Sequence, residues 1–73
     1  MKHQLYDALE KHFEAQRSSS IATLEVYFNN PAGIGEHPQV VEEMTKQLRS
    51  LSEAEDCLKI LNKHFEGNKR VSV

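Results

Sequence analysis

The sequence predicts an all-α protein: an antiparallel helical hairpin that self-associates into a helix bundle or ring. Three observations predict it. Pro31, Gly33, Gly35 and Pro38 fall in one stretch, and Gly67 alone lies elsewhere, so two long regular segments flank a single connection. Apolar residues on both sides of that stretch recur at spacings of three and four, the period of one helix face. The chain has 73 residues, 38% of them hydrophobic, and a chain this short buries only roughly 60% of its unfolded surface. With one cysteine it cannot staple itself by an internal disulfide or a multi-cysteine zinc site. Long, well-packed helices, self-association, or both remain as ways to complete a core.

The first helix is expected over residues 2–29. Leu5, Tyr6, Leu9, Phe13, Ile21, Leu24, Tyr27 and Phe28 supply its apolar positions. Its middle, Gln16 to Ser20, is polar and of mediocre helix propensity. Two forms compete: one continuous helix, or a break at the serines with Ser19 or Ser20 capping a second piece. Glu25 to Phe28 has β-type residues, but only Val71 to Val73 offers a partner strand. Asn29, Asn30 and Pro31 end the segment, since Asn tolerates the left-handed conformation and Pro cannot continue the helical bonds. The turn is placed at residues 30–37.

The second helix is expected over residues 38–66. Val40, Val41, Met44, Leu48, Leu51, Leu58, Leu61 and Phe65 form its stripe, widened by Ala54, Cys57 and Ile60. Pro38 suits the first helical position, and Glu42 and Glu43 lie near the positive end of the dipole. Lys63 and His64 sit in the last turn, and Gly67 is available as a left-handed cap. Residues 67–73 read as a flexible tail. Folding back around the turn sets Phe28 near Val40, Leu24 near Met44, Phe13 near Ala54 and Leu5 near Leu61. Each helix then keeps apolar residues that one hairpin cannot cover.

Three places invite chemistry. The turn leads Gly33, Ile34 and Gly35 into a helix N-terminus whose free N–H groups favour an anion, with Asn30 and His37 as further polar groups. Glu36 carries the wrong charge for such a site, and a rigid capped turn with Ile34 over the bundle end explains the same residues. The second is a polar level where Glu55 interrupts the apolar stripe opposite His12, Gln16 and Arg17. It reads as a pH-sensitive contact or ligand pocket, as a polar layer that fixes register, or as an exposed Glu55 if the stripe is rotated. The third is the open end, where Lys59, Lys63, Lys69 and Arg70 stand against Glu66 alone, about +3 against about −5 for the rest of the chain. There, an ordinary solvated helix terminus competes with an anion site that includes Lys69 and Arg70.

His3, His12, His37 and His64 lack the i, i+4 spacing of a helical zinc site, so neither metal nor cofactor is expected. Cys57 has no histidine at triad-like spacing, and no nucleophile or acid/base set is visible, so an enzyme is not expected. The formal charge of −2 disfavours generic nucleic-acid binding. No apolar run approaches a membrane span, and the start of the chain has no signal-peptide core, which points to a cytoplasmic protein.

The run NNPAGIGEHP over residues 29–38, followed by Val40 to Met44 and later by Ala54 to Asp56, resembles a group of small proteins encoded by tailed bacteriophages. Their characteristic stretch is similar to NNPxGIGEHP. The resemblance covers residues 20–66 and implies a phage accessory protein made in the bacterial cytoplasm. It transfers no catalytic residue. The expectation is a non-enzymatic binding protein, an oligomer that sequesters an anionic small molecule such as a nucleotide signal of host defence. Its rival is an adaptor or inhibitor docking on a host or virion protein through its apolar helix face.

Overall fold

The computed structural model describes residues 1–30 and 39–70. Helix α1 runs Lys2–Asn29 and helix α2 runs Gln39–Phe65, and a 3-10 turn follows at Glu66–Asn68. The two helices pack against each other, and the described residues contain no strand. Their direction is antiparallel. Gln16 in mid-α1 meets Ser50 in mid-α2, while Leu5 and Tyr6 share a groove with Leu61 and Phe65. That pairing agrees with the register expected from the turn.

Helix α1 is continuous through Ser18–Ser20. Ser20 is buried against α2, so tertiary packing overrides the weak local propensity of the serine run. Thr23 donates its hydroxyl to the Ser19 carbonyl at 2.9 Å, which spares this stretch a competing turn. At the far end the Asn30 N–H donates to the Val26 carbonyl at 3.1 Å. Asn30 sits at φ −136°, ψ 57°, not in the left-handed cap that an asparagine there suggested.

The helix C-terminus of α2 also differs from expectation. Glu66 leaves the α-helix for the 3-10 turn, and Gly67 occupies its middle without a left-handed φ. The turn packs back on α1, and Lys69 Nζ reaches Glu10 Oε2 at 3.7 Å. Of the expected tail, residues 67 and 68 lie in the 3-10 turn and Lys69 carries the ion pair to α1. Residues 71–73 lie outside the described residues.

Most of the buried and half-buried positions repeat at alternating spacings of three and four, with Gln16, Thr23, Ser50 and Cys57 half-buried beside them. On α1 they are Tyr6, Phe13, Ser20 and Tyr27, interleaved with His3, Glu10, Arg17 and Leu24. On α2 they are Val40, Gln47, Ala54 and Leu61, interleaved with Met44, Leu51 and Leu58. This is a heptad seam, the packing of a short antiparallel coiled coil. The register sets Phe13 opposite Ala54, whose side chain is 0% exposed, so a large ring meets a small methyl and the helices approach closely. The α1 side of the seam is polar at His3, Glu10 and Arg17, which face the level of Phe65, Leu58 and Leu51.

The result is a rod with extents of 51 × 20 × 16 Å. Its radius of gyration is 16.1 Å, where a compact chain of this length would have ~11 Å. Its accessible surface is 5929 Å², against ~4,600 Å² for a compact monomer of its mass. The apolar core is Tyr6, Leu24, Ala54 and Leu61, too little to give one copy more than marginal stability.

Candidate functional site

Because the seam takes only one stripe from each helix, the flanks decide what the hairpin offers to other molecules. Three features stand out: a polar crossing at mid-length, and two unlike faces at the open end.

The polar crossing centres on Gln16. Its Nε2 donates to the Ser50 carbonyl at 2.9 Å and to Glu53 Oε1 at 3.0 Å. Gln16 flanks the seam, one position from the stripe, so its amide crosses from α1 to α2 while its stem stays packed. Arg17 is half-buried in the seam. His12 is exposed and sets its ring edge-on to Phe13 at 4.9 Å between centroids. Glu55 is exposed and makes no part of this crossing. The α2 stripe turns so that Ala54 faces α1, and one residue further on, about 100° around the helix, Glu55 faces solvent. Glu53 and Ser50 are the α2 partners that the sequence reading passed over. Their signal was their spacing of three, which puts both on the flank facing Gln16.

The open end has two different sides. One is an apolar groove of about 460 Å³. Tyr6, Phe13 and Leu61 lie at its base, and Leu5, Leu9, Cys57, Ile60 and Phe65 form its walls. Leu5 is 59% exposed and Phe65 52%, although both belong to the predicted apolar stripes. Cys57 is a free, half-buried thiol within this groove. The stripes are wider than the seam, and the excess gathers here.

The other side is a charged cleft lined by His3, Asp7, Glu10, Lys11, Lys69 and Arg70. Most of its charges are already paired. Lys11 Nζ donates to Asp7 Oδ2 at 2.6 Å, and Lys69 lies against Glu10. The Asp7 hydrogen bond and charge hold the Lys11 ammonium above the usual lysine range. Arg70 is exposed at the rim.

The predicted turn site is divided by these results. Asn30 is exposed at one end of the rod, while Lys69 and Arg70 lie toward the other, with Lys69 at the level of Glu10, ~30 Å away along α1. One hairpin cannot bring them together. Gly33, Ile34, Gly35 and His37 lie outside the described residues. Among the described residues no helix is long and apolar enough to cross a membrane.

Comparison with protein-family models, with curated proteins and with solved structures gives no match to this chain.

Proposed function

We propose that this chain is a non-enzymatic accessory protein, of the phage type its turn motif resembles, that works as an oligomer and takes an anionic small molecule where copies meet. The observation that carries the reading is the separation of the candidate groups. Asn30 sits at one end of the rod, and Lys69 and Arg70 toward the other. Only a neighbouring copy can place them together. Two further facts support it. The surface exceeds that of a compact monomer by roughly 1,300 Å², the order of area that a specific interface buries. The open end is also the basic end, with Lys59, Lys63, Lys69 and Arg70 against Glu66. A nucleotide is a ligand class that suits a cationic end, through its phosphate.

Calorimetric titration with a panel of linear and cyclic nucleotides tests this. A saturable heat with fewer ligands than chains is expected, because each site draws on more than one copy. Heats equal to dilution across the panel would end the reading.

A further inference from the structure

The open-end groove has a counterpart at the opposite end and on the opposite side of the rod. Four large apolar side chains near the turn end are exposed: Ile21, Phe28, Val41 and Leu48. In the heptad frame all four occupy the flank of the seam away from Gln16, Ser50 and Cys57. They stand across from one another in the register that pairs Gln16 with Ser50, so they form one strip. Phe28 is 72% exposed and Val41 71%, so the strip protrudes, whereas the groove is concave.

We infer that copies of this chain assemble head to tail, the turn-end strip of one seated in the open-end groove of the next. The inference rests on the oligomeric reading above and specifies its interface. Shape favours it, since a ridge meets a groove. Charge favours it as well. At the open end Lys2 lines the groove and Lys59 and Lys63 stand against Glu66, while Asp7, Glu10, Lys11, Lys69 and Arg70 line the cleft on the other side. At the turn end, residues 21–30 and 39–48 carry Glu25, Glu42 and Glu43 against Lys46. Joining groove to groove sets two basic ends together, and joining strip to strip sets two acidic ends together. Only groove to strip joins opposite charges. Both patches are apolar and wet: Leu5, Leu9, Ile60 and Phe65 at the groove and Ile21, Phe28, Val41 and Leu48 on the strip are all exposed.

Because groove and strip lie on opposite sides, both can be engaged at once, and the contact is heterologous: it closes as a ring or extends.

A complementation experiment tests the arrangement. Leu9→Arg spoils the groove and leaves the strip; Leu48→Glu spoils the strip and leaves the groove. Mass is read by light scattering after size exclusion, with circular dichroism to confirm helicity. The wild type is expected at a multiple of 8.4 kDa and each variant alone at 8.4 kDa. An equimolar mixture of the two variants should recover a complex of twice the chain mass, through the one intact groove and one intact strip. The inference fails if wild type is monomeric, if Leu48→Glu alone keeps the wild-type mass, or if the mixture stays monomeric. Should either variant lose helicity, Ile60→Arg and Val41→Glu replace them at the same patches. Nucleotide heats do not enter this readout: an oligomer whose variants do not complement overturns this arrangement and leaves the oligomeric reading standing, whereas a monomeric wild type overturns both.

Discussion

Replacing Gln16 by alanine isolates the polar crossing between the helices. The Gln16 amide donates to the Ser50 carbonyl at 2.9 Å and to the Glu53 carboxylate at 3.0 Å. A hydrogen bond contributes a net ~0.5–1.5 kcal/mol, and more to a charged acceptor. Both acceptors keep other partners when Gln16 is removed: the Ser50 carbonyl also serves α2's own ladder, and Glu53 is exposed to water. Neither is left orphaned, so the loss belongs at the low end of the range, about 1–2 kcal/mol in all. For a domain of this size that lowers Tm by about 5–10 °C. The assay is thermal unfolding by circular dichroism at one fixed chain concentration, because an assembling protein has a concentration-dependent midpoint. Glu53→Ala and the double variant complete a cycle, with an expected coupling of ~0.5–1 kcal/mol. A Gln16→Ala midpoint within about 2 °C of wild type would refute the crossing as a stabilising feature of the hairpin.

Other expectations follow from single contacts. Ala54→Leu forces a larger side chain into a fully buried seam position opposite Phe13 and should cost about 1–3 kcal/mol in denaturant unfolding. Gly67→Ala should hold or raise stability, by up to ~1 kcal/mol, because Gly67 has no left-handed φ and a Cβ there meets nothing within 4 Å. Loss of stability instead would return Gly67 to the role of an obligatory cap. Asp7→Asn should bring the Lys11 ammonium back down toward the ordinary lysine range in an NMR titration. The sign follows from the raised native pKa: the pair acts below the lysine range and is lost as pH rises through it. Glu55→Ala should leave the unfolding midpoint unchanged, since Glu55 is exposed and outside the crossing.

Much of this build was legible in the residues. Clustered Gly and Pro limited the chain to two long segments, and the three-and-four spacing made both helical. The excess of apolar positions over one seam was visible as well, in Leu5 beside Tyr6, Val41 beside Val40, and Ile60 beside Leu61. What periodicity could not supply was the rotation of each stripe. Where four adjacent positions are apolar or ambiguous, a shift of one residue moves the facing side by about 100°. That is why Glu55 stayed open between a seam position and an exposed one, while Ala54, set opposite Phe13, takes the seam, and why Ser50 and Glu53 could not be named as the partners of Gln16. The caps show the same limit. Asn30 and Gly67 have the residue types of left-handed caps, and neither adopts that conformation: Asn30 precedes a proline, which favours extended backbone, and the chain at Gly67 turns to pack on α1.

By itself, then, the sequence determined an all-α chain of two antiparallel helices, their lengths and their approximate register, since hydrogen-bond period and chain punctuation are local properties. Tertiary structure alone decided which stripe became the seam. With that choice it decided which leucines and phenylalanines remain in water and on which side. Those positions depend on how two faces interlock around Ala54 and Ser20. It also decided that Asn30 and the Lys69–Arg70 pair stand toward opposite ends of a rod, a separation set by the 1.5 Å rise of each helical residue.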